Sequence, residues 1–205
     1  MGSEMCIRDR LLYHVERMNE ESANALLKVM EEPPEGVLFL LTADSLASVL
    51  PTIRSRCVSF AVAPVSPADC TRYCAAQGVD KKTAALYSEL FDGHIGTVLA
   101  VARDEARAAQ VEKALELARA AAARDSYTAA VLLAAYEKDK AAASALLTDF
   151  RAVAAAGLRS SPRAPVQGTQ ARQAVRLADA ALQRLGAQVN PKVVLSVFAA
   201  QLRTL

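Results

Sequence analysis

"MEEPPEGVLFLLTAD", Met30 to Asp44, is the stretch on which the reading of this sequence turns. Pro33 and Pro34 cannot continue a helix, and Gly36 permits the turn that follows. Val37–Ala43 is then a short apolar run bounded by turn residues, the pattern of a strand buried on both faces of a parallel sheet. Its polar end, Thr42 to Asp44, falls at the strand's carboxyl edge, where open α/β sheets bind ligands. Upstream, Asn19 is placed to cap a helix that opens with Glu20 and Glu21, and Ala23, Leu26, Leu27 and Met30 form one apolar stripe. Downstream, "SLASVLPTIRSRC", Ser45 to Cys57, reads as a short helix broken at Pro51 and resumed for one turn. "VSFAVA", Val58 to Ala63, reads as a second strand.

After Ala63 the pattern is helical throughout. Ser66 and Pro67 form a cap followed by proline at the first helical position, and Asn190 and Pro191 repeat that device near the end. Asp80, Ser126 and Asp139 open further helices, a break falls near Arg103 and Asp104, and "RSSPRAPVQG", Arg159 to Gly168, is the one clear loop. The alanine-rich runs carry Leu and Val at three- and four-residue spacing, so they read as closely packed helices. The expected fold class is therefore α/β, then all-α. Apolar residues make up 53% of the 205, yet no run reaches 18, which speaks against a membrane span. A net charge of +2 argues against an extended nucleic-acid-binding surface.

The first ten residues, "MGSEMCIRDR", have no periodicity and read as a non-native leader set apart from the fold. Two strands cannot form an independent sheet covered on both faces. The chain is accordingly expected to be truncated upstream and, by itself, to expose apolar sheet edge.

Few residues offer chemistry. No GxxxxGK[ST] phosphate loop occurs, so the chain by itself cannot cradle a nucleoside triphosphate. Cys6, Cys57, Cys70 and Cys74 form no CxxC pair, so the expectation is free thiols and no metal site, with Cys70 and Cys74 one helical turn apart. His14 and His94 lack an evident partner nucleophile. Glu31 and Glu32 are adjacent on a helix and point apart, which suits solvated helix-end acids. Arg54 and Arg56 have two readings. They solubilise a turn, or one of them presents arginine's planar fork to a phosphate on a neighbouring subunit.

The order NALLK, MEEPP, FLLT and PTIRSRC over Met18–Phe60 resembles the clamp-loader branch of the AAA+ ATPases, and the tail "RLGAQVNPKVVLSVFAAQLRTL" is similar to the end of that branch's collar. Within the branch the details resemble the delta-prime subunits of bacterial DNA polymerase III, which do not hydrolyse ATP. "GHIGTVL" has Gly96 where the hydrolysing tau/gamma subunits carry a lid arginine, and the sequence ends after the collar helix without their long extension. Tyr13 and His14 stand where the family's paired Walker B acids would lie, with Glu16 the nearest carboxylate.

The resemblance implies residues 11–62 as the C-terminal portion of an AAA+ α/β domain, 63–103 as a helical lid and 104–205 as an oligomerisation collar. It makes Arg56 of the Ser55-Arg56-Cys57 motif a catalytic arginine finger acting in trans, with Arg54 as a support or phosphate contact. Thr42 occupies a silent sensor-1 position and Cys57 faces the core. The implied protein is cytoplasmic and has no cofactor of its own, with ATP and Mg at the adjacent subunit. Its implied partners are tau/gamma and delta subunits, the sliding clamp, and primer–template DNA through the assembled complex. An ATP-hydrolysing tau/gamma-type subunit and a plain helical adaptor are the alternatives.

Overall fold

The structure, a computed structural model, describes residues 8–63 and 65–205. The expected leader lies largely outside them, as does Cys6. The chain forms two compact units, Met1–Val62 and Ala63–Leu205.

The first unit is a strand–helix–strand arrangement. Strand β1 (Arg8–Leu12) pairs in parallel with β2 (Val37–Leu41), in a register that sets Arg8 opposite Val37 and Leu12 opposite Leu41. A 3₁₀ turn at Val15–Arg17 and helix α1 (Glu20–Glu31) make the crossover that parallel pairing requires. Asn19 caps α1 as expected, its Oδ1 accepting the Ser22 N–H at 2.8 Å. After β2 come a 3₁₀ turn at Leu46–Ser48 and the four-residue helix α2 (Pro51–Arg54), which starts on its proline. Val15, Ala23, Leu26, Val49 and Ile53 form a small core, against which Leu12, Phe39, Leu41 and Cys57 pack.

Three expectations are corrected here. β2 is not buried on both faces: Leu38 and Leu40 stand about half exposed, and only the face carrying Phe39 and Leu41 meets the core. Side chains alternate across a strand, and the layer made by α1 and α2 covers a single face of this two-stranded sheet. Val58–Ala63 is not a strand: its alternating Val58, Phe60 and Val62 are almost fully exposed, and among the described residues no strand lies beside it to complete a ladder. Conversely Arg8–Arg10, the end of the expected leader, pairs with β2.

The second unit is all helix: α3 (Pro67–Ala76), α4 (Lys81–Leu90), α5 (Ile95–Arg103), α6 (Glu105–Ala122), α7 (Ser126–Ala134), α8 (Lys140–Leu158), α9 (Gly168–Gly186) and α10 (Pro191–Leu202). The caps explain the boundaries. Ser66 Oγ accepts the Asp69 N–H, Asp80 and Asp125 carboxylates accept those of Thr83 and Thr128, and Asp104 caps α6 through Ala106 and Arg107. Hydrogen bonds from Thr83 and Thr128 also hold the Asp80 and Asp125 carboxyls below their ordinary range. At the turn after α4, Gly93 has φ +73°, and a Cβ there would lie 1.8 Å from the Val65 carbonyl oxygen, so only glycine fits.

Helix α8 is long and apolar enough to cross a membrane by length and composition alone. In this structure it is a core helix: Leu146, Leu147, Phe150 and Val153 are buried, and Phe150 meets Phe198 of α10 edge-on with ring centroids 5.4 Å apart. Its buried Asp149 takes both arms of the Arg107 guanidinium from α6, Nη2 lying 2.5 Å from Oδ1. A polar clasp joins the end of α4 to the loop after α8. Arg159 pairs with Asp92 at 3.1 Å and donates to the Leu90 carbonyl, while Glu89 receives Ser161 and Arg163.

Truncating Phe198 to alanine removes one side of the aromatic contact and leaves a cavity. The expected loss is about 3–5 kcal/mol in urea-unfolding free energy, and a loss under about 1 kcal/mol would contradict this packing. At Gly96, in the first turn of α5, an added Cβ would meet nothing within 4 Å. Gly96→Ala should therefore raise stability, by roughly 0.4–1 kcal/mol in the same measurement.

Candidate functional site

Two clusters of polar side chains lie in the first unit, and both are set by how the chain leaves its secondary structure.

The first surrounds Arg56. Helix α2 ends at Arg54, and Ser55 N–H bonds back to Pro51 O at 2.9 Å, so Ser55, Arg56 and Cys57 follow the helix as a tight turn. Ser55 Oγ donates to Thr52 O at 3.0 Å. Arg56 Nη1 donates to the same carbonyl at 3.0 Å, and Nη2 reaches Glu31 Oε1, at the end of α1, at 2.5 Å. Glu31, read from sequence as a solvated helix-end acid, is thus the ionic partner of the candidate finger; their side chains are 52% and 37% exposed. Exposed pairs of this kind contribute roughly 0–1 kcal/mol, so the contact orients the guanidinium without fixing it. Arg54 is exposed and makes no ion pair among the described residues. Cys57 packs half-buried against the small core, and burial pushes its thiol pKa up, which disfavours a reactive thiolate. Cys70 and Cys74 are fully buried with sulfurs 4.0 Å apart; desolvation and its neighbour raise the Cys74 thiol to about 11.

The second cluster lies beyond the carboxyl ends of β1 and β2. Thr42 continues the ladder, its N–H donating to Leu12 O at 2.9 Å and its carbonyl accepting the Val15 N–H at 3.0 Å. Its Oγ1 accepts the His14 N–H at 3.3 Å. His14 turns the chain with φ 55° and ψ 51°, a left-handed conformation uncommon for a non-glycine residue. That turn brings His14 Nδ1 to 3.1 Å from Glu16 Oε1 and 3.6 Å from Asp44 Oδ1. The bond to its own backbone N–H holds the Glu16 carboxyl below the usual range, with His14 adding to this while desolvation opposes it. Tyr13, at the other position expected to carry a Walker B acid, is exposed. The sequence reading places Tyr13 and His14 where the family's paired acids would lie, with Glu16 as the nearest carboxylate. It misses Asp44 as a companion of His14 and Glu16, because only the parallel register brings residues 28 and 30 positions apart together.

Residues 5–66 match a family described as "DNA polymerase III, delta subunit". The delta-prime subunit of Yersinia pestis is 45% identical over 62 residues, 30% of this chain and 18% of that protein. The delta-prime subunit of Haemophilus influenzae is 62% identical over 42 residues, 20% of this chain and 13% of that protein. Subunits named gamma and tau also match part of the chain. The matched stretches thus span less than a fifth of these curated relatives' length. A crystal structure of a DNA polymerase III gamma subunit-related protein from Thermotoga maritima shares the fold at TM-score 0.55, covering 97% of this chain and 73% of that one at 22% identity. Over the residues that carry NALLK, MEEPP, FLLT and PTIRSRC, this chain is therefore similar to DNA polymerase III delta-prime subunits.

Proposed function

We propose that this chain acts as a non-hydrolysing subunit of a DNA polymerase III clamp loader. It supplies Arg56 in trans to the ATP site of an adjacent tau/gamma subunit while the sliding clamp is placed on primed DNA. The observation that carries the reading is the placement of Arg56. It sits in the tight turn after α2, partly exposed, its fork held by a surface carboxylate, a turn carbonyl and, at 3.5 Å, the Ser55 hydroxyl. A guanidinium in that state can exchange Glu31 for the oxygens of a transferring γ-phosphate at small cost. Residues 11–62 then belong to the AAA+ α/β domain, 63–103 to its lid and 104–205 to the collar that assembles a cytoplasmic hetero-oligomer. ATP and Mg stay with the neighbour; delta, the clamp and primer–template DNA are the remaining partners.

The reading as an ATP-hydrolysing tau/gamma-type subunit draws on the matches to gamma and tau chains. It is less well supported, because Tyr13 and His14 replace the paired Walker B acids and Gly96 replaces the lid arginine.

Arg56→Ala in a reconstituted loader should lower the DNA-stimulated ATPase of the neighbouring subunit by on the order of 10³-fold, the scale of arginine-finger loss. Glu31→Ala should leave that rate intact or raise it, since it only releases the fork. An ATPase unchanged by Arg56→Ala would remove the finger reading and favour the helical adaptor.

A further inference from the structure

We propose that His14, Glu16 and Asp44 form a mononuclear site for a borderline divalent transition metal ion of the zinc type, at the carboxyl ends of β1 and β2. The proposal goes beyond the clamp-loader reading and does not depend on Arg56.

Two of the three donor pairs have the spacing of a coordination shell. His14 Nδ1 lies 3.1 Å from Glu16 Oε1 and 3.6 Å from Asp44 Oδ1, and ligand atoms of all three residues lie within 4.8 Å of one another. Around a tetrahedral ion with bonds of roughly 2.1 Å, neighbouring ligand atoms sit roughly 3.4 Å apart. Those two separations bracket that value.

A second observation is independent of the spacing. The Glu16 side chain is only 10% exposed and reaches the cluster through Oε1, while its Oε2 is enclosed with no hydrogen-bond donor from another residue among the described residues. An enclosed carboxylate oxygen without a partner is costly. The imidazole does not remove that cost: Nδ1 offers at most one hydrogen, already facing one oxygen from each of two carboxylates. A dication would serve both acids together and use the Nδ1 lone pair of neutral histidine.

Composition selects the class of ion. One imidazole with two carboxylates suits zinc-type ions, whereas magnesium prefers an all-oxygen octahedral shell and keeps its water. Access is open on one side, where His14 and Asp44 are 48% and 70% exposed, and closed on the Glu16 side. Three protein ligands with an open position facing solvent leave room for a water or another small donor.

The test uses the full 205-residue chain, freed of metal by chelation and titrated by calorimetry with Zn²⁺ alone, then with Mg²⁺ alone. Co²⁺ serves as the optical probe of a site with few ligands. His14→Asn keeps a residue tolerant of the left-handed turn while removing the imidazole. Asp44→Asn alters an exposed position, and circular dichroism confirms that both variants remain folded. The expected result is one Zn²⁺ per chain, an intense Co²⁺ ligand-field absorption, Mg²⁺ binding far weaker than Zn²⁺ binding, and at least about tenfold weaker Zn²⁺ binding in each variant. Three results would each overturn the site: no Zn²⁺ uptake by the parent chain, Zn²⁺ affinity unchanged in folded His14→Asn protein, or equal affinity for Mg²⁺.

Discussion

Thr42 ties the ends of the two strands together, and the arrangement of the first unit follows from that junction. Its N–H and carbonyl extend the parallel ladder past β2, while its hydroxyl receives the His14 amide. Three bonds from one residue hold β1 and β2 in register where the chain leaves the sheet. The left-handed turn at His14 and the 3₁₀ turn after it depend on this, and they set where α1 begins. The far end of α1 then places Glu31 against Arg56. A local hydrogen-bond pattern at the sheet edge thereby governs both polar clusters.

Those clusters differ in kind. The Arg56 pair is exposed, and its fork is held by contacts that a phosphate can outcompete. The His14 cluster is anchored by a nearly buried carboxylate, one oxygen of which receives no hydrogen bond from another described residue. In the proposed loader the first cluster faces a neighbour's substrate, while the second belongs to this chain alone. The helical unit serves a separate purpose, joining α4, α6, α8 and α10 through apolar packing, the Arg107–Asp149 pair and the Arg159 clasp.

Much of this was legible in the sequence because the signals are local. Asn19, Ser66, Asp80, Asp104 and Asn190 accept amide hydrogen bonds from two or three residues ahead, so cap and boundary are written in neighbouring positions. The proline stop after α1 and the glycine turns are equally local. What was missed depends on partners. Val58, Phe60 and Val62 have the period of a strand but, among the described residues, no strand beside them. Arg8–Leu12 has little apolar alternation, yet forms a strand because β2 offers a matching edge. The apolar run of β2 suggested two covered faces, whereas the number of layers packed on a strand is a tertiary property. The pairings of Arg56 with Glu31 and of His14 with Asp44 likewise join residues 25 and 30 positions apart.

The most direct measurement is a comparison of two lysine substitutions in the assembled loader, Arg56→Lys and Arg54→Lys, read as DNA-stimulated ATP hydrolysis by the neighbouring subunit. Lysine keeps the charge and loses the planar fork. Most of the rate should be lost with Arg56→Lys and most of it kept with Arg54→Lys. Equal rates in the two variants would contradict the assignment of Arg56 as the residue that reaches the phosphate.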